Sequence, residues 1–96
     1  MTTGASTVRR LVITGRVQGV GFRFALADEA RARNLSGRVR NCADGSVEVI
    51  VAGAAADADA IVAWAHHGPP AASVTGVRVE AASGEFATFE IAPAAR

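Results

Sequence analysis

The chain has 96 residues, enough for one modest core and too few for a second, so two-domain cleft enzymes are excluded and every active group must come from one unit. Half of the residues count as hydrophobic, but 22 of those 48 are Ala, and Val, Ile, Leu, Phe and Trp supply only 24, so the core is small and Val-rich. Ten basic against nine acidic residues leave a net charge of +1, with no bulk pull toward nucleic acid or an anionic membrane; all ten are Arg, which excludes chemistry that needs Lys.

Met1 to Ser6 read as a flexible, polar tail, residues 7–92 as the domain, and residues 93–96 as a short frayed end. Arg9 to Arg16 holds Leu11, Val12 and Ile13 and stops near Gly15, the pattern of a buried strand. A glycine loop follows, and Phe22, Leu26 and Ala30 then recur at helical spacing, with Glu29 four residues ahead of Arg33. Asn34 to Gly37 breaks this helix. Arg38 to Cys42 alternates charged and apolar residues, which puts Val39 and Asn41 on one face of a second strand. Ala43 to Ser46 is a turn with an Asp-Gly signal, and Val47, Val49 and Val51 make the returning strand of a hairpin. Ala58, Ile61, Val62 and Ala65 mark a second helix, with Asp57 and Asp59 early and His66 and His67 late, ended by Gly68-Pro69-Pro70. Val74, Val77 and Val79 indicate a fourth strand, and Phe89 with Ile91 a short fifth one whose docking the pattern does not specify.

The order strand, helix, strand, strand, helix, strand implies an α+β ferredoxin-like sandwich, an antiparallel sheet in the order 4-1-3-2 with both helices on one face. In that arrangement the first two strands run parallel. Their C-terminal ends share an edge, which brings the glycine loop and the hairpin turn after Asn41 together.

Gly15-Arg16-Val17-Gln18-Gly19-Val20-Gly21-Phe22-Arg23 feeds a helix N-terminus, where unpaired N–H groups and the helix dipole can cradle an anion. Arg23, a cation in the first turn, opposes the dipole unless an anion binds there, and its fork suits phosphate. The spacing matches neither the dinucleotide nor the nucleotide triphosphatase pattern, and a tight turn with a surface Arg remains the plain alternative. Asn41 would ordinarily serve the turn, but beside a phosphate cradle its carboxamide oxygen could hold a water for in-line attack on phosphorus. No His, Cys or carboxylate cluster has metal-ligand spacing, and Cys42 is followed six positions on by Glu48 and not by Arg, so neither a metal site nor a cysteine phosphatase is expected. His66 and His67 read as helix-end residues, Asp44 as a turn residue, Glu48 as a strand-face solubiliser, Trp64 as partly buried, and Phe24 as exposed. An RNA-binding sheet would need aromatics on its strands, and the first three carry none.

The run Ile13 to Arg23 resembles the first signature of the acylphosphatase family throughout its length. Gly37-Arg38-Val39-Arg40-Asn41, followed by Gly45-Ser46-Val47 and Gly53, is similar to the second, apart from Arg38 where the family usually has an aromatic. Gly68-Pro69-Pro70-Ala71 and Phe89-Glu90-Ile91 extend the likeness, and the C-terminal Tyr of the family is absent. The resemblance implies hydrolysis of the carboxyl-phosphate bond of acyl phosphates without metal, cofactor or covalent intermediate. Arg23 would bind the phosphoryl group together with the N–H groups of Val17, Gln18, Gly19, Val20, Gly21 and Phe22, and Asn41 would position the water. The alternative is a non-catalytic phosphate or carbamoyl-phosphate binding module, as in the acylphosphatase-like domains of larger hydrogenase-maturation proteins. A cytoplasmic monomer is expected, because Cys42 has no internal partner, no charged leader with an apolar run suggests export, no stretch is long enough to span a bilayer, and no apolar surface stripe stands out.

Overall fold

A computed structural model of the chain describes residues 6–95 and runs β1 (Ser6–Arg16), α1 (Phe22–Ala32), β2 (Ser36–Asn41), β3 (Val47–Ala54), α2 (Ala55–Ala65), β4 (Ser73–Ala81) and β5 (Phe89–Ile91). The sheet order is β4-β1-β3-β2-β5. Its first four strands pair antiparallel in the order expected from the sequence, and β5 lies parallel to β2 at the outer edge, so the complete sheet is mixed.

The registers separate the two faces. Leu11 pairs with Val49 and Val79, and Val49 with Val39, while Ile13 pairs with Val47 and Val77, and Val47 with Asn41. These rows line the face covered by the helices, where Leu11, Ile13, Val39, Val47, Val49 and Val51 are fully buried and share one cluster with Phe22, Leu26, Ala30, Ala58, Ile61 and Ala65. Each large apolar side chain so buried contributes about 1.5–3 kcal/mol. Helix α1 packs on β2 and β5, and α2 on β1, β3 and β4.

Chain reversals have identifiable local causes. Asn34 adopts φ 58 and the Leu35 N–H donates to the Ala30 carbonyl at 2.9 Å, closing the end of α1 while the buried Leu35 anchors it. Helix α2 starts directly from β3 without a side-chain cap, and Asp57 in its first turn offsets the missing cap through the dipole. Arg33 reaches both Glu29 at 3.8 Å and Asp57 at 3.7 Å, tying the end of α1 to the first turn of α2.

The opposite face is charged. Across it run Glu80, Arg10, Ile50, Arg38 and Glu90 in register, with Arg78, Val12, Glu48 and Arg40 in the next row. Glu48, read from alternation as a solubiliser, is in fact 5% exposed, because Arg10 and Arg40 each donate to it at 2.6 Å and Arg38 lies 3.7 Å away. Arg38 thus stands on the face opposite Asn41.

At both ends backbone pairing reaches a little beyond the expected domain of residues 7–92. Of the tail expected over residues 1–6, residues 1–5 lie outside the described residues and Ser6 opens β1, paired with Ala54. The end expected to fray is bound as far as it is described: the Ala95 N–H donates to the Asn41 carbonyl at 2.8 Å, and Arg96 lies outside the described residues. Among the described residues no helix is long and apolar enough to cross a membrane.

Candidate active site

Strands β1 and β2 are both antiparallel to β3, which lies between them, so their C-terminal ends emerge at one edge of the sheet. Val47 pairs with Ile13 on one side and with Asn41 on the other. Two strand spacings of about 4.8 Å therefore separate Asn41 from Ile13, four residues before the loop begins. The register of β1 against β4 shifts between Thr14 and Gly15, a bulge at which β1 turns toward the loop.

The loop from Val17 to Gly21 then climbs to α1. Val17 and Phe22 are 1% exposed and pin its two ends to the core, and the Phe22 ring meets Trp64 edge-on, with centroids 5.5 Å apart. Gly19 and Gly21 take φ 73 and 79, which an L side chain resists, so the backbone between the anchors can curl and turn its N–H groups outward. Among the described residues, no turn or loop backbone bond takes an N–H of residues 17–22 as its donor. Helix α1 has Gly21 as its N-cap with no side-chain cap and no acid in its first turn, so its dipole and first N–H groups are left unopposed.

Arg23 occupies that first turn, and its guanidinium carbon lies 5.7 Å from the centre of the Phe24 ring, which is 62% exposed. No ion pair to Arg23 occurs among the described residues. The site is therefore a concentration of positive charge and free donors without a counterion, an arrangement suited to a phosphate group.

Asn41 ends β2 on the helix-covered face. Its side-chain oxygen is buried and has no hydrogen-bond partner among the described residues, while its own backbone carbonyl is held by Ala95. The following turn is closed by the Cys42 N–H on the Ser46 carbonyl at 2.9 Å and by Asp44, which accepts from both the hydroxyl and the N–H of Ser46. Those bonds, the hydroxyl first, hold the Asp44 carboxyl below the usual carboxylate range. The loop and this turn are tied together by Gln18, whose side-chain nitrogen donates to the carbonyls of Cys42 and Ser46, each at 2.9 Å.

The structure thus brings residues 17–23 and Asn41 to one edge of the sheet, as the topology led one to expect. Three relationships had no sequence signal: the Gln18 side chain acting on the turn, the Ala95 bond to Asn41, and Arg31, which donates twice to the Phe89 carbonyl and fastens β5 beside β2. His66 and His67 follow α2 and are exposed, with His67 Nδ1 3.4 Å from the Ala63 carbonyl. Among the described residues, no group of three or more His, Cys, Asp or Glu side chains is placed to hold a metal ion. Clefts of about 380 and 440 Å³ lie against the 84–88 segment, and neither is lined by Arg23 or Asn41.

The sequence profile of the acylphosphatase family matches residues 9–91. An acylphosphatase of Cupriavidus necator is 54% identical over 84 residues, which cover 88% of this chain and 91% of that protein. Among solved structures, the crystal structure of an acylphosphatase from Bacillus subtilis superposes with a TM-score of 0.85 at 33% identity, covering 92% of this chain and 99% of that one. Full-length HypF in its phosphate- and nucleotide-bound form aligns with a TM-score of 0.89 at 27% identity, over 97% of this chain but only 12% of that one. With a family profile matching nearly its whole domain and a relative more than half identical, the chain belongs to the acylphosphatase family of hydrolases.

Proposed function

We propose that this protein hydrolyses acyl phosphates to a carboxylate and inorganic phosphate, with Arg23 and the N–H groups of residues 17–22 binding the phosphoryl group and Asn41 orienting the attacking water. The observation that carries this reading is the Asn41 side-chain oxygen, buried and without a partner, on the strand whose next residue is bonded to the cradle loop through Gln18. An unmatched buried acceptor is costly, and a water held between it and the phosphorus would satisfy it.

In the reaction the water oxygen attacks phosphorus in line with the leaving group. The bond from phosphorus to the acyl oxygen breaks and its electron pair leaves on the carboxylate. The proton of the water passes to a non-bridging phosphate oxygen, so no side chain need act as general base. An acyl phosphate is a mixed anhydride with a good leaving group, so positioning and charge stabilisation carry the catalysis. Arg23 supplies a fixed guanidinium fork, and the loop amides and the dipole of α1 supply partial positive charge to the phosphoryl oxygens. No metal is required by these steps. A monomer working in the cytoplasm is part of this proposal.

The test is steady-state hydrolysis of benzoyl phosphate. Asn41→Ala is expected to lower kcat by roughly 10²- to 10³-fold and Arg23→Ala to reduce turnover at least as far, with activity in wild type unaffected by a chelator. Folded variants with wild-type turnover would remove these assignments. The segment of HypF that this chain matches belongs to a phosphate-bound structure, so a second reading is a phosphate-binding module, marked by tight phosphate binding with no hydrolysis.

A further inference from the structure

We propose that the side chain of Gln18 is a positioning residue for Asn41, holding the hairpin end at a fixed distance from the phosphate cradle. The inference rests on the reading of Asn41 given above and adds a residue to it. Both hydrogens of the Gln18 amide are used on the turn, one on the Cys42 carbonyl and one on the Ser46 carbonyl, each at 2.9 Å. The same two carbonyls accept the bonds that close the turn, from Gly45 at 3.1 Å and from Cys42 at 2.9 Å. Each oxygen therefore has two donors, its full capacity. Asp44 ties the turn only to itself, through Ser46. Among the described residues, Gln18 makes the side-chain hydrogen bonds that cross from the loop to the hairpin.

Asn41 needs such a link. Its side-chain oxygen has no partner of its own, so its place relative to the cradle depends on the backbone that carries it. The β2–β3 ladder fixes that backbone to the sheet, Ala95 bonds its carbonyl from the C-terminal segment, and Gln18 fixes the next residue to the loop. A shift of about 1 Å at such a point can cost roughly 100-fold in rate. Loss of the Gln18 donors leaves each carbonyl with its turn bond, so folding survives while registry is lost.

The experiment is a double-mutant cycle in the full chain: wild type, Gln18→Met, Asn41→Ala and the double variant, each read for kcat, KM for benzoyl phosphate and Ki for inorganic phosphate. Gln18→Met is expected to lower kcat roughly 10- to 100-fold, with KM and Ki within about twofold of wild type because the loop amides and Arg23 remain. In the Asn41→Ala background the same change is expected to alter kcat by less than about twofold. Equal kcat losses in both backgrounds, unchanged kcat, or a Ki that rises in step with the kcat loss would overturn the proposal. Wild-type kcat in Asn41→Ala removes the reading of Asn41 and this inference together, whereas a deficient Asn41→Ala with additive losses removes the inference alone. Should Gln18→Met not fold, Gln18→Glu serves in its place. Its ionised carboxylate opposes both carbonyls and its protonated form donates to one, so kcat relative to wild type should rise as pH falls, and a flat ratio overturns the proposal.

Discussion

Arg10 and Glu48 meet on the open face of the sheet, where the Arg10 Nε donates to a carboxylate oxygen of Glu48 at 2.6 Å, on the side away from the cradle. Burial alone would raise the Glu48 pKa, but hydrogen bonds from Arg10 and Arg40 outweigh it and hold the carboxyl below its usual range. A depressed carboxylate contributes stability above its unfolded pKa of about 4.3, and that stability is lost as pH falls through the folded value. Glu80, held down chiefly by Arg10, adds in the same direction. Denaturant midpoints should therefore fall between pH 6 and pH 3 in wild type, and fall less in Glu48→Gln. At pH 7 the Glu48→Gln variant should be less stable by about 1–2 kcal/mol, the penalty of a broken buried pair moderated by its partly exposed arginines. An equal acid slope in both proteins would mean that Glu48 is not the group responsible.

Gly21 caps α1 at φ 79 and ψ 15, and a Cβ built there meets nothing within 4 Å. The cost of Gly21→Ala is then conformational alone, about 1–2 kcal/mol, readable in urea unfolding. Relief of that strain would turn the N–H groups of the loop away from the bound anion. Inorganic phosphate is accordingly expected to inhibit the variant about tenfold more weakly, equivalent to about 1.4 kcal/mol. Unaltered inhibition would show that the loop amides do not hold the phosphate.

Phe24 is exposed yet stands next to the Arg23 guanidinium. Removing a ring so open to water should change stability by less than about 0.5 kcal/mol. Its contact with the cation is of the order of 0.5–1 kcal/mol, so Phe24→Ala should raise the phosphate Ki about two- to fivefold. Calorimetry with inorganic phosphate measures this directly, and an unchanged Ki would mean that Arg23 is held by other means.

The fold was legible wherever pattern and chemistry are local. The hairpin at Asp44 and Gly45, the helix with Phe22, Leu26 and Ala30, and the neighbourhood of residues 17–23 and Asn41 followed from periodicity, turn residues and strand handedness. Glu48 was misread because alternation tells which face a side chain takes, while its burial depends on arginines from β1 and β2 that flank it only once strand order is known. The same order places Arg38, the departure from the family pattern, in the charged network and not beside Asn41. The docking of β5 was not readable because three residues carry too little pattern; Arg31 of α1 and the parallel ladder on β2 decide it in three dimensions. Gln18 showed only its backbone role in the sequence, since the partners of its amide are main-chain carbonyls that any residue would offer.

The central claim, that water held by Asn41 attacks phosphorus, is tested most directly by hydrolysing benzoyl phosphate in ¹⁸O-labelled water and weighing both products by mass spectrometry, with wild type and Asn41→Ala side by side. The account predicts the label in inorganic phosphate and none in benzoate, with enzymatic labelling falling in Asn41→Ala by the same roughly 10²- to 10³-fold as kcat. Label in the benzoate would place the attack at the carbonyl carbon and contradict it, as would a folded Asn41→Ala enzyme that labels phosphate at the wild-type rate.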